Sequence, residues 1–157
     1  MNYSTKQLTA LVVLRVLIGW HFAYEGIAKI FSTWGAAAYL RDSQGFLSRF
    51  FIDLADSSAM SIVDFLNEWG LLLIGLGLIC GAFTRIASIS AIILLSFYYL
   101  SHPSFLGVQY AMPVEGNYLW IDKNIVEMAA LLVVFFFPTS HIIGFDRFIK
   151  KYLAKLV

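Results

Sequence analysis

The stretch "RVLIGWHFAYEGIAKIF" (residues 15–31) decides how the chain is read. It has the apolar bulk of a membrane span, yet Arg15, His21, Glu25 and Lys29 fall inside it. At 100° per residue, Arg15, Ile18, Gly19, Phe22, Glu25, Gly26 and Lys29 share an arc of about 120°. A stripe mixing small, aromatic and charged side chains is expected to face other helices. The face with Val12, Val13, Val16, Trp20, Ala23 and Ile27 is expected to meet lipid. Glu25 precedes Lys29 by four residues, the favoured order for an intrahelical ion pair, and His21 precedes Glu25 by another four.

Composition points to the same solvent. Of 157 residues, 60% are hydrophobic and 13% charged, and the mean hydropathy is +0.78. Soluble domains carry about 25% charged residues. The length suits one transmembrane domain over residues 1–157. A net charge of +1 gives no sign of a nucleic-acid partner. The lone cysteine, Cys80, excludes an internal disulfide, a CxxC pair and any iron–sulfur or zinc site built on several thiolates. It is expected to be a small packed helical residue.

Working outward, four spans are predicted, at about 8–31, 62–84, 86–102 and 118–138. The second has a short apolar run and borrows the turns that hold Asp64 and Glu68, whereas Pro103 stops the third. The fold expected is all-α, an integral membrane four-helix bundle. In the long first loop, Phe46, Leu47, Phe50, Phe51 and Leu54 recur at helical spacing and predict a helix on the outer side. Residues 145–157, "FDRFIKKYLAKLV", predict an amphipathic interfacial helix. Its apolar face carries Phe145, Phe148, Ile149, Tyr152 and Leu156, opposite Arg147, Lys150, Lys151 and Lys155. With Lys6 and Arg85 on that same side, the positive-inside rule places both termini in the cytoplasm of an inner-membrane, multi-pass protein. Trp34, Tyr39, Tyr118 and Trp120 would form the outer aromatic belt, and Tyr3 and Tyr152 the inner one. Gly77 and Gly81 form a GxxxG pattern that predicts a close helix contact.

Depth gathers the polar residues at one end. Below the outer boundary, Glu25 lies at about 9 Å, Lys29 at about 3 Å, Lys123 at about 7 Å, Asn124 at about 9 Å and Glu127 at about 13 Å. Glu68 and His102 are drawn to the same end. Arg15 alone is deep on the other side, with a stem long enough to snorkel. An unpaired charge near mid-bilayer costs roughly 2.5–3.5 kcal/mol even on mild scales. These groups should therefore either converge on a polar pocket that opens outward or pair as staples between helices. In the pocket reading, Glu25 and Glu127 exchange protons. Arg15, His21, Lys29, Glu68, His102, Lys123 and Asn124 are the candidate ligand contacts. His21 and His102 are the sole histidine pair that a bis-histidine haem could use, and HExxH, P-loop and GxGxxG motifs are absent.

Three stretches carry a family resemblance. They are "LRVLIGWHFAYEGIAKIF" with Arg15, Gly19, Gly26 and Lys29, "EWGLLLIGLGLICGAFTRIAS" ending in Thr84–Arg85, and "DKNIVEMAALLVVFFFP" with Asn124. Over roughly residues 8–140 the chain resembles the DoxX/DoxD-like family of small four-helix membrane proteins. The family's name members belong to a thiosulfate:quinone oxidoreductase, and others associate with redox or oxidative-stress partners. The resemblance implies quinone-linked membrane redox chemistry but identifies no substrate; quinone is a candidate ligand and a redox protein a candidate partner. It brings no catalytic residue set with it.

Three functions follow as expectations. The first is a subunit of a quinone-linked oxidoreductase, its ring hydrogen-bonded by Asn124 or Lys29. The second is a non-catalytic scaffold for a redox or stress-response complex, its charges paired with no cavity between them. The third is a small-solute permeation path, which needs a homo-oligomer to build a wall.

Overall fold

In the computed structural model of the chain, residues 3–105, 107–111 and 119–153 are described. Helix α1 (Thr5–Ile30) begins at a capping box, where the Ser4 side chain accepts from Gln7 N–H and the Gln7 side chain accepts from Ser4 N–H. Its 26 residues make a rod of about 39 Å. Helix α2 (Ala36–Arg41) and helix α3 (Ser48–Ala55) follow in place of the single loop helix expected. Helix α4 (Met60–Cys80) ends at Gly81, whose φ of +65° is a left-handed conformation that glycine adopts without strain. Helix α5 (Thr84–Ser101), helix α6 (Lys123–Phe136) and helix α7 (Asp146–Leu153) complete the described elements.

Helices α1, α4 and α5 are long and apolar enough to cross a membrane. Their outward faces are apolar too, with Leu17 62%, Leu73 64% and Ile93 53% exposed. Helix α6 has 14 residues, against the 21 expected for 118–138. The Asp122 carboxylate accepts from Ile125 N–H and starts the helix at Lys123, so Leu119–Ile121 lie outside it. Helix α7 covers part of the 145–157 stretch expected to be helical. Residues 154–157 and the side chains of 150, 152 and 153 lie outside the described residues.

Helix α1 packs most extensively on α4, and the contacts α4–α5, α5–α6 and α1–α6 close a ring. The α1–α4 seam is backbone against backbone. A Cβ on Gly26 would stand 2.5 Å from Leu72 N, and one on Gly75 would fall on the backbone of Gly19 and Ala23. Ala23, expected to face lipid, is therefore 3% exposed in this seam. The close approach comes from Gly19, Gly26 and Gly75 rather than the GxxxG pair. Gly77 lies against the Ala82 carbonyl in the turn after α4 and the Ala87 methyl of α5, and Gly81 turns the chain. Cys80, expected to be packed, is exposed at the end of α4. The core between the four helices includes Ile18, Phe22, Leu71, Leu78, Leu95 and Leu131.

A second core sits at the other end of α1, where α2 and α3 fold over α4 and α5. Ala36, Leu40, Phe51 and Ala55 are buried there, against Trp34, Val63 and Leu100. Asp64 accepts from Ala36 N–H at 2.8 Å, supplying the cap that Gly35 cannot. Ser43 Oγ donates to the Ser101 carbonyl at 2.8 Å, and Asp42 accepts from Ala111 N–H. This layer roofs the polar end of the molecule.

Candidate functional site

His21, Glu25 and Lys29 stand one turn apart on α1 and face a cavity of about 130 Å³. Helix α6 brings Lys123 and Asn124 to the same space, α5 brings Tyr98, and Phe22, Leu71 and Leu95 form its apolar floor. Five of the nine residues expected at a site thus meet in one chamber. Asn124 also donates to Asp122 Oδ2 at 3.0 Å, which fixes its amide at the mouth of α6.

Glu127 lies one turn further along α6. Its Oε1 is 2.8 Å from His21 Nδ1, a link between α6 and α1 with the carboxylate 11% exposed. Its Oε2 is buried and makes no hydrogen bond. An imidazole and a carboxylate thus meet between α1 and α6 at the inner edge of the polar chamber. Glu68 stays outside the cavity wall. Glu25 and Glu68 are the carboxylates whose charge acts on Lys29.

The Lys29 ammonium lies 4.1 Å from the centre of the Trp34 ring, a cation–π contact, and donates to Tyr98 Oη at 3.3 Å. Tyr98 in turn donates to Asn67 Oδ1, and Asn67 donates to the Val63 carbonyl one turn back. Tyr98 is also a wall of a second chamber of about 260 Å³, set beneath α2 and α3. Trp34, Phe51, Val63 and Leu94 line that chamber, and its polar side chains include Asn67, Tyr98 and Ser101. At its rim Phe50 and Leu66 are more than half exposed. Trp34, Asn67 and Tyr98 were not expected at a site. Asn67, an amide inside an apolar span, was the one signal the sequence offered.

Two expected residues lie elsewhere. Arg15 does not snorkel. It is 2% exposed, and its guanidinium donates to Thr139 Oγ1 at 2.9 Å and to the Ile143 carbonyl at 2.8 Å. It holds the segment after α6 against α1, far along the helix from the cavity. His102 is the C-cap residue of α5 and is buried in the roof, stacked on Tyr39 at 3.9 Å and beside Tyr110 at 4.6 Å. Burial pulls its pKa below 6.5, partly opposed by Asp42, whose Oδ2 is 3.9 Å from Nε2. Tyr39 is thus a packing partner of His102 rather than a free belt residue. Among the described residues, no three His, Cys, Asp or Glu side chains gather as metal ligands.

The family model described as DoxX matches residues 10–103, from the second turn of α1 to just past the end of α5. That range contains His21, Glu25, Lys29, Asn67 and Tyr98, while α6 with Glu127 lies beyond it. No curated protein matches the chain, and no solved structure does. With its apolar helices and a match over more than half its length, the chain belongs to the DoxX family.

Proposed function

We propose that the chain is a membrane subunit of a quinone-linked oxidoreductase, with electrons delivered by a partner protein. In this reading α6 completes a four-helix transmembrane bundle and α7 lies in the interface. The end carrying Arg85 and Arg147 is cytoplasmic, in an inner membrane.

The observation that carries the proposal is the sharing of Tyr98 by two adjoining chambers of opposite character. Size assigns their roles. A cavity of about 150 Å³ holds benzene. The polar chamber, at about 130 Å³, is tight for a substituted ring, whereas the apolar one, at about 260 Å³, has room. Ligand sites of this kind are mostly apolar with a few placed polar groups. A quinone bound there supplies two-electron, two-proton chemistry. The second N–H of Asn67 would donate to its carbonyl edge, since the Tyr98 hydroxyl already donates to Asn67 Oδ1, and Trp34 and Phe51 would pack its faces. Lys29 keeps the Tyr98 hydroxyl in place. Glu25 and the His21–Glu127 pair stand behind it as the groups to exchange its protons, out of reach of the acyl chains.

The scaffold reading draws on the His21–Glu127 link and the Arg15 bonds, which do staple the helices. It offers no reason for a chamber lined by Glu25 and Asn124. The test is an organic extract of protein purified in mild detergent. Quinone at near-equal stoichiometry is expected, and Leu94→Trp, which fills the apolar chamber, should remove it. An extract holding only phospholipid would favour the scaffold.

A further inference from the structure

At the opposite end of the helices from these chambers, a hollow of about 320 Å³ lies between Tyr3, ahead of α1, the first turn of α5, and the segment after α6. Arg85, His141 and the Tyr3 ring line it, Phe136 forms part of its floor, and Ser140 and Asp146 form a wall. The two charged groups that dominate it are not equivalent. The Asp146 carboxylate is already engaged. It accepts from Phe83 N–H at 2.7 Å, from Thr84 N–H at 3.3 Å and from Ser140 Oγ at 2.6 Å, so it caps α5 and is compensated by that helix end.

Arg85 is the opposite case. Its guanidinium rests 5.7 Å from the Phe135 ring centre and makes no hydrogen bond or ion pair with any described residue. Arg85 is exposed at the edge of the hollow, and the five N–H donors of its planar fork have no acceptor among the described residues. The matching ligand is an oxyanion with two oxygens set to receive that fork, and phosphate fits it best. The level is also suitable. Helices α1, α4 and α5 have membrane length, so the ends where Arg85 stands lie at headgroup depth. Basic hollows between transmembrane helices at this depth suit phospholipid headgroups.

We infer that this hollow is a binding site for a phosphate group, gripped by Arg85, with His141 and Tyr3 beside it. Phosphate chemistry can come from a phospholipid headgroup or from soluble phosphate, and Phe136 in the floor gives the lipid form an apolar surface for the start of its acyl chains.

The test uses the full chain in detergent micelles and native mass spectrometry, with phosphatidylglycerol and inorganic phosphate added separately. Adducts are expected on the wild type, falling about tenfold in Arg85→Gln. Arg147→Gln, on the exposed face of α7, should leave them unchanged. Retention of phosphatidylglycerol alone identifies a lipid site, and retention of phosphate identifies a site open to the soluble ion. Arg85→Lys keeps the charge but not the fork and should recover part of the binding, which separates loss of a ligand from loss of the fold. Equal retention by wild type and Arg85→Gln, or equal loss in Arg147→Gln, would overturn the assignment.

Discussion

His21 on α1 and Glu127 on α6 stand 2.8 Å apart, joining residues 106 positions distant in the sequence at the inner edge of the polar chamber. Glu127→Gln keeps an oxygen acceptor for His21 but removes the carboxyl group that the proposal uses for proton exchange. It should cost less than about 1 kcal/mol of stability. Quinone-linked turnover in the native complex should fall by about tenfold or more. Thermal unfolding and turnover, measured side by side, check this. Full turnover in Glu127→Gln would reduce the pair to a staple.

The α1–α4 seam predicts a sharp contrast between two glycines. Gly75→Ala places a methyl on the backbone of Ala23 and should destabilise by about 1–3 kcal/mol, as overpacking does. Gly70→Ala meets nothing within 4 Å and should be neutral or gain up to about 1 kcal/mol from helix propensity. Melting temperatures in the same detergent decide it.

The roof should be sensitive to acid through His102. Burial holds its folded pKa below 6.5, so the unfolded chain binds the proton first as pH falls. The stabilisation is therefore complete above pH 6.5 and is lost as pH drops from there through the folded value. His102→Phe keeps the stack between Tyr39 and Tyr110 and should flatten that part of the stability curve. A curve of unchanged slope would show that another group titrates.

Asp146 predicts a second, lower limb. Burial works against its charge, but the Ser140 hydroxyl and the N–H groups of Phe83 and Thr84 outweigh it and hold its pKa below 3.8. Its contribution is present above pH 3.8 and is lost as pH falls through the folded value. Asp146→Ala should cost about 1–2 kcal/mol through the lost cap on α5. Hydrogen exchange at the first turn of α5 is the local readout.

The inward stripe of α1 was legible because helical period and polarity agree. Arg15, Ile18, Gly19, Phe22 and Gly26 are buried, and Glu25 and Lys29 reach the cavity. Convergence of Lys123 and Asn124 on Glu25 followed from depth, and His21 joined them through its four-residue spacing from Glu25. Tyr98 was not legible, since in "SFYYLSH" nothing local separates it from Tyr99, and only the position of Lys29 on a different helix picks it out. Ala23 was misplaced because its burial depends on Gly75 across the seam. The apolar chamber was hidden for the same reason. It exists only once α2 and α3 have folded back over α4 and α5.

Trp34 gives the most direct test of the central claim, because it lines the apolar chamber and sits over Lys29. A short-tailed quinone titrated into the protein in nanodiscs should quench tryptophan fluorescence saturably, at near one equivalent. The saturable part should vanish in Trp34→Phe, while Val63→Phe should shift it to higher quinone concentration by narrowing the chamber. Quenching that rises linearly without saturation, and is the same in all three proteins, would contradict the account.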